Sequence, residues 1–482
     1  MAPMAATRLR RVLLTDLLGP VHARVTALPE AGVDVADLAY DSRAVVDGTL
    51  FLCVPGRTTD GHDHAAAAVA AGAVALVVER ELDVAVPQAV VPSVREAMGP
   101  IADAFFGHPT AQLTVLGVTG TNGKTTTAFL QHAILTAAGH RTGLLGTIER
   151  RVGGVAEGAV RTTPEAVDLH RDFRRMVDAG DTACAMEVSS HALDQHRVGG
   201  VRFAAAAFTN LSQDHLDYHG DMEAYFAAKA RLFDGRCPSA ANADDAYGRR
   251  LPVDLRFGID AADAEVRAVD VELGADGTRF GLRTPWGDAT VATRLVGRFN
   301  VENALAAAAS AGLAGVPLDA IVAGLGALPG VPGRLEVVSA GQPFAVIVDY
   351  AHTPDALDNV LRAVRPLAAG RVTCVFGCGG DRDRGKRPQM AAAACALADR
   401  VLITTDNPRS EDPLAIIAEI RSGADAMAEV EPDRRAAIVR AIADAGPGDV
   451  VVIAGKGHEQ GQEAHGVVTP FDDRAVAREA LA

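Results

Sequence analysis

Lys124 sits between a glycine and three threonines, in the run Gly117-Val118-Thr119-Gly120-Thr121-Asn122-Gly123-Lys124-Thr125-Thr126-Thr127. A lysine in this setting can reach the β- and γ-phosphates of a nucleotide, and the Thr125 hydroxyl can ligate Mg²⁺. Gly120 and Gly123 let backbone N–H groups turn toward phosphate oxygens, and the helix that the loop opens adds positive potential at its N-terminus. The spacing departs from strict G-x-x-x-x-G-K-[ST] at one place: Val118 stands where the first glycine belongs. A glycine-rich turn without a ligand is the plain alternative. The flanks oppose it, because Leu113 to Thr119 reads as a buried parallel strand and a helical segment ending near Gly139 follows. The loop predicts ATP binding with Mg²⁺ and leaves the reaction open.

Other residues downstream could act on a phosphorylated substrate. Glu187 ends the apolar strand candidate Thr182 to Val188, and His215 and Lys229 follow. Read alone, His215 is a packed or solvent-facing histidine and Lys229 a helix-surface lysine. Asp406-Asn407-Pro408-Arg409 alone reads as a helix-capping turn, and Asn300 could equally cap a helix. Arg57 to Thr59 reads as a solvated turn, and Asp381 to Arg387 as a solvated charged loop. Gly377, Gly379 and Gly380 resemble a dinucleotide turn but lack its full spacing.

The elements that must position these residues belong to an α/β protein. Its 482 residues suggest about three domains at ~150 residues each. Residues 1–111 form a small N-terminal α/β domain ending in the turn-rich Gly107-His108-Pro109-Thr110. Residues 112–333 form a central P-loop ATPase-like domain with a parallel sheet, closing at Leu328-Pro-Gly-Val-Pro-Gly333. Residues 334–482 form a Rossmann-like domain, with strands at Phe344 to Tyr350, Arg371 to Gly377, Arg400 to Thr405 and Asp449 to Ala454. A net charge of −15 disfavours a nucleic-acid partner or an anionic-membrane surface. The longest apolar run, Ala65 to Val78, is too short to span a bilayer and reads as a helix end followed by a buried strand. Arg8, Arg10 and Arg11 precede a short apolar stretch that Asp16 interrupts, so no secretory signal is expected. The six cysteines show no C-x-x-C spacing and read as reduced thiols of a cytoplasmic protein.

Several motifs occur in order: Thr162-Thr163-Pro164, Glu187-Val-Ser-Ser-His191, Thr209-Asn210-Leu211 to Asp214-His215, and Tyr225 to Lys229. Gly297-Arg-Phe-Asn300-Val-Glu-Asn303, Gly333-Arg334-Leu-Glu and Asp349-Tyr-Ala-His352-Thr-Pro then follow. With the phosphate loop, this series resembles the Mur ligases of peptidoglycan synthesis over nearly the whole chain. The resemblance implies ATP-dependent amide-bond formation through an acyl phosphate. It implies that Glu187 and His215 hold a second Mg²⁺, and that Lys229 reacts with CO₂ to become a carbamate facing the metal. Asn300, Arg334, Asp349 and His352 become adenosine-side residues. Tyr40, Ser42, Arg57, Thr58, Thr59, Thr162, Thr163, Ser189, Gln195 and Arg197 become contacts of a UDP-N-acetylmuramoyl-dipeptide. Arg161 is a departure, since some relatives have Asn before the Thr-Thr pair.

Asp41-Ser42-Arg43, Asp406-Asn-Pro-Arg409 and Gly455-Lys-Gly-His-Glu459 look like the family members that add a third residue to UDP-N-acetylmuramoyl-L-Ala-D-Glu. Meso-diaminopimelate and L-lysine differ by one carboxylate, and a planar guanidinium such as Arg409 pairs with it. The resemblance therefore implies diaminopimelate as the added residue. Arg382, Asp406, Asn407, Pro408, Arg409, Gly455 and Glu459 would hold it, in a monomeric enzyme without membrane insertion. A lysine-adding ligase, a folate-polyglutamate-type ligase and a non-catalytic nucleotide-binding regulator are the other readings.

Overall fold

A computed structural model describes residues 11–26, 32–56, 59–274 and 277–482. Arg8, Arg10, Arg57 and Thr58, singled out above, lie outside the described residues. The chain forms two compact units. The first joins residues 1–115 to 141–204, and the second joins 116–140 to 205–482.

In the first unit, Asp37–Ala39, Thr49–Leu52, Ala73–Val78 and Gln88–Val90 pair in parallel, and Arg24–Thr26 adds an antiparallel edge to Gln88–Val90. The run Ala65 to Val78 resolves as the helix Ala65–Ala70 and the strand Ala73–Val78, as its composition predicts. The helix Val94–Phe105 starts at Ser93, whose hydroxyl accepts from Glu96 N. It packs Met98 and Ile101 into a core with Leu50, Leu52 and Val77. Thr142–Leu145 pairs in parallel with Ala183–Glu187 and antiparallel with Glu149–Val152. Ala183–Glu187 is buried throughout, which is why it reads as a continuous apolar run closing on a carboxylate.

In the second unit, the strand entering the phosphate loop pairs in parallel with Ala205–Phe208, and parallel pairing continues through Ser239–Asn242 and Leu255–Gly258 to Val266–Gly274. Gly277–Thr284 and Gly287–Thr293 then extend the sheet antiparallel. Thr278, Phe280 and Leu282 are buried while Arg279 and Arg283 are exposed, the period-2 alternation of a half-buried strand. The helices Lys124–Ala137 and Arg298–Leu313 carry a buried hydrogen bond from Gln131 Nε2 to Ser310 Oγ at 2.9 Å.

The carboxyl-terminal part holds a six-stranded sheet in the spatial order Glu336–Val338, Ala345–Asp349, Val450–Ala454, Val372–Phe376, Arg400–Ile403, Glu429–Val430. Only the first pairing is antiparallel, so the doubly wound domain carries one antiparallel edge. Val450–Ala454 lies between strands that precede it in the chain. Loops leaving the carboxyl ends of such strands line a crevice, where ligands bind in open α/β sheets. Asp349, Gly377, Asp406 and Gly455 lie at those ends.

All six cysteines are free; Cys53, Cys184, Cys374 and Cys378 are buried, and Cys237 and Cys395 partly so. No helix among the described residues is long and apolar enough to cross a membrane.

Candidate active site

The phosphate loop of the second unit is held from beneath by the segment after strand Ala205–Phe208. Thr121 N donates to Asn210 O at 2.9 Å, and Asn122 N to Asn210 Oδ1 at 2.9 Å. The Thr209 hydroxyl donates to Asn122 O at 2.6 Å. Gly120, at φ +151°, lies so close to Thr209 that a Cβ would sit 1.9 Å from its Oγ1, and a Cβ on Gly123 would sit 2.1 Å from Asn303 Oδ1. Both glycines are therefore required by close approach as well as by the loop's turn. Lys124 Nζ donates to Gly120 O and Thr121 O, at 3.0 and 2.7 Å. Arg334 Nη2 donates to Thr125 Oγ1 at 3.1 Å, and its guanidinium lies 4.4 Å over the Tyr350 ring. Thr126 is buried in the first turn of the helix.

Lys229 lies on the helix Met222–Ala230, yet it is wholly buried, which overturns the surface-lysine alternative. Its Nζ donates to Gly120 O at 2.7 Å and lies 4.7 Å from the centre of the Tyr225 ring. Burial first, and then the Lys124 charge, push its amine well below the ordinary lysine range against the opposing pull of Asp214. The shift favours the neutral amine, the form able to react with CO₂.

Asp214 gathers groups from three segments. His215 Nε2 and His352 Nε2 approach it at 3.4 and 3.6 Å, and the buried Lys386 Nζ at 3.4 Å. Burial raises its carboxyl, but Lys386 and the two histidines win and hold it well below the usual carboxylate range. Asp349 is fixed by Leu335 N and Ala351 N, both at 2.7 Å, and burial raises it against the Arg334 charge. Asn300 does not cap its helix. Gly297 is the cap, and Asn300 Nδ2 donates to Val296 O at 2.8 Å while its Oδ1 accepts from Asn303.

In the first unit, Glu187 is 1% exposed and its Oε1 and Oε2 accept from Thr147 N at 2.7 Å and Thr147 Oγ1 at 3.0 Å. Thr147 Oγ1 meets Thr162 Oγ1 at 3.0 Å. Thr163 Oγ1 donates to Glu187 O and accepts from Ser189 N. Arg197 donates to Thr163 O and Gln195 Oε1 and pairs with Glu165 at 3.0 Å. Five of the predicted nucleotide-sugar residues, Thr162, Thr163, Ser189, Gln195 and Arg197, thus form one connected network with Thr147, Glu165 and Glu187. Tyr40 OH donates to Asp168 Oδ2 at 2.5 Å, beside a cavity of about 370 Å³ that Arg150, Arg161, Thr162 and Arg171 also line. Ser42 opens a short 3₁₀ turn capped by Asp41, and Thr59 is exposed.

In the carboxyl-terminal cluster, Asp406 and Asn407 are both buried. The capping alternative fails, because the next helix, Pro413–Arg421, is capped by Asp412. Burial raises Asp406, and Lys456 and Arg434 override it and hold the carboxyl below the ordinary range. Gly455 leaves room for that carboxylate. Arg409, at φ +52°, donates from Nη1 to Gly380 O at 2.6 Å, and its Nε is 3.4 Å from Glu463. Glu459 Oε2 accepts from Asn407 Nδ2 at 2.8 Å. The solvated-loop reading of 381–387 is wrong at its end: Arg387 is fully buried between Glu411 and Glu419. Arg382 is at the surface and donates to Asp381 O.

Three family models cover the chain in succession: "Mur ligase family, catalytic domain" over residues 34–119, "Mur ligase middle domain" over 118–311 and "Mur ligase, glutamate ligase domain" over 333–457. A protein of Geobacillus kaustophilus named UDP-N-acetylmuramoyl-L-alanyl-D-glutamate–2,6-diaminopimelate ligase is 49% identical over 93% of this chain and 95% of its own. The chain is a Mur ligase. Proteins of the same name from Solibacter usitatus and Streptomyces avermitilis are 47% and 45% identical, each covering 97% of this Mur ligase and 98% and 96% of their own lengths. A solved structure with that name is 35% identical, with a TM-score of 0.69 over 98% of this chain and 99% of its own. Folylpolyglutamate synthase of Mycobacterium tuberculosis, 20% identical with a TM-score of 0.61 over 76% of this chain and 92% of its own, shares the fold.

Sequence reasoning missed four residues of this Mur ligase's two polar centres: Asn303, Asp214, Lys386 and Lys456. Asn303 and Asp214 stood inside quoted motifs, and that position was the available signal. Lys386 stood in a charge run, where nothing in the sequence distinguishes a buried lysine from a solvated one.

Proposed function

We propose that this Mur ligase adds meso-2,6-diaminopimelate to the D-Glu side-chain carboxylate of UDP-N-acetylmuramoyl-L-Ala-D-Glu, at the expense of ATP, in peptidoglycan precursor synthesis. The carboxylate attacks the γ-phosphorus and ADP leaves. The amine of diaminopimelate then attacks the acyl carbon, loses a proton and expels phosphate. Lys124 and the loop N–H groups hold the phosphates, and Asn300, Arg334, Asp349 and His352 serve the adenosine side. Bound Mg²⁺ neutralises phosphate charge. Thr125, His215 and the carbamate of Lys229 are its candidate holders in the second unit, and Glu187 is the candidate in the first. The buried amine of Lys229, pushed toward neutrality beside Lys124, fits a carbamate. Tyr40, Ser42, Arg57, Thr58, Thr59, Thr162, Thr163, Ser189, Gln195 and Arg197 take the nucleotide-sugar peptide. Domain limits of 1–111, 112–333 and 334–482, and a cytoplasmic monomer, belong to the same reading.

The observation that carries the choice of amino acid is Arg409 beside the buried Asp406 and Asn407 and the half-buried Glu459. Its guanidinium supplies a partner for the second carboxylate of diaminopimelate, a group that lysine lacks. Phosphate release with Mg²⁺-ATP and the UDP-dipeptide, with diaminopimelate or L-lysine in parallel, tests this. Turnover with diaminopimelate alone is expected; a preference for lysine overturns the role of Arg409.

A further inference from the structure

The carboxyl-terminal cluster contains a lysine to which the reading above gives no task. Lys456 follows the strand Val450–Ala454 and is fully buried. A buried ammonium is unfavourable unless it is paired, and a methionine would fill the same volume without that penalty. Lys456 Nζ donates to Asn407 Oδ1 at 2.8 Å and to Glu459 Oε2 at 3.1 Å. Asn407 is engaged at both ends of its amide. Oδ1 also accepts from Glu463 N at 3.1 Å, and Nδ2 donates to Glu459 Oε2 at 2.8 Å.

These bonds fix two orientations. An asparagine amide can turn over and exchange its oxygen for its nitrogen. Here the ammonium of Lys456 and the N–H of Glu463 both demand an acceptor on one side, so the nitrogen must face Glu459. The bonds from Asn407 and Lys456 to the Glu459 carboxylate both fall on Oε2, so Oε1 carries neither of them.

We infer that Lys456 is a positioning residue for amino-acid selection: it locks the Asn407 amide and the Glu459 carboxylate in the arrangement that receives the distal ammonium of the incoming amino acid, while Arg409 takes the distal carboxylate. This rests on the assignment of the cluster to diaminopimelate made above. Lys456 touches neither the phosphates nor the reacting amine, so its removal acts on one end of one substrate.

The test uses the full chain with Lys456→Met and Lys456→Arg, and two amines. Diaminopimelate carries the distal ammonium; 2-aminopimelate keeps the distal carboxylate and lacks that ammonium. KM is measured for diaminopimelate and ATP, and Ki for 2-aminopimelate as a competing amine. Lys456→Met is expected to raise KM for diaminopimelate at least about tenfold, the scale of a hydrogen bond to a charged group. KM for ATP and Ki for 2-aminopimelate are expected to stay within about twofold, because neither uses Glu459. Lys456→Arg, which keeps the cation and moves the donor, is expected to show the same ordering at smaller size. Combining Lys456→Met with Glu459→Gln should add nothing to the loss from Glu459→Gln alone. Equal losses for both amines and ATP, or additive losses in the double variant, would overturn the positioning role. If Lys456→Met does not fold, the ordering in Lys456→Arg decides. Absence of diaminopimelate turnover by the unaltered enzyme would instead overturn the substrate assignment, a separate result.

Discussion

Three lysines are buried among the described residues of this Mur ligase, and the surroundings of two of them, Lys229 and Lys456, differ. Lys229 lies under the phosphate loop, bonded to the Gly120 carbonyl with the Lys124 charge nearby. Lys456 lies in the carboxyl-terminal cluster, bonded to an amide oxygen and a carboxylate. Burial favours the neutral form of Lys229. The second cation drives Lys229 further toward a reactive amine, while the acceptors around Lys456 suit an ammonium whose work is to hold its neighbours. The lesson is that depth does not assign a role to a lysine; the sign of the adjacent charge does.

Removing Lys229 tests the first half of that contrast most severely. Lys229→Met is expected to lower kcat by about 10³-fold with the fold retained, the scale of losing a group that stabilises transferring charge. The unaltered enzyme should carry the added mass of one CO₂ in native mass spectrometry, and activity should fall when bicarbonate is stripped and return when it is restored. An unmodified Lys229 in an enzyme indifferent to bicarbonate would remove the basis of the contrast.

The second half depends on the ionic framework around Lys456. Arg434 is fully buried and pairs with the equally buried Asp473 at 2.7 Å, while also donating to the carbonyls of Thr405 and Ala454. Asp473→Ala strands that guanidinium and is expected to destabilise the protein by about 3–5 kcal/mol, read by denaturant unfolding. Arg409→Ala should raise KM for diaminopimelate by about 30-fold or more, from the loss of about 2 kcal/mol of paired charge, and erase the preference over lysine.

A pH series separates the centres more gently. The Asp406 carboxyl is held below its ordinary value, so its contribution to stability is fully present above about pH 4, the unfolded value, and is lost as pH falls through the folded one. Melting temperatures between pH 6 and pH 3 should fall less steeply for Asp406→Asn than for the unaltered protein. The smallest effect belongs to Asp355, whose Oδ2 accepts from Asn122 Nδ2 at 2.8 Å at an exposed position. Asp355→Ala is expected to change KM for ATP by less than about fivefold, since exposed polar pairs contribute about 1 kcal/mol or less.

The contrast also marks how far the sequence could be read. The phosphate loop and the strands Ala183–Glu187, Ala345–Asp349 and Val450–Ala454 are legible because buried parallel strands write themselves as unbroken apolar runs. The antiparallel strands from Val266 to Thr293 are not, because half their side chains face water and their composition is that of a loop. Lys229 is flagged only by its motif, since its helix shows no feature that announces a buried cation. Arg387 and Lys386 are hidden for the opposite reason: seven consecutive polar or glycine positions look solvated, and only tertiary partners such as Glu411, Glu419 and Asp214 reveal otherwise.

The unpaired thiols have a use of their own. Burial pushes Cys53 in the first unit, and Cys374 and Cys378 in the carboxyl-terminal part, up to about 12, so the reactive thiolate is scarce at neutral pH. Each can react with an alkylating probe only when its own sheet opens. The protein thus carries internal clocks, one in the amino-terminal sheet and two in the carboxyl-terminal one. Their labelling half-lives, resolved peptide by peptide, would time the breathing of each region without introducing any foreign group before the measurement begins.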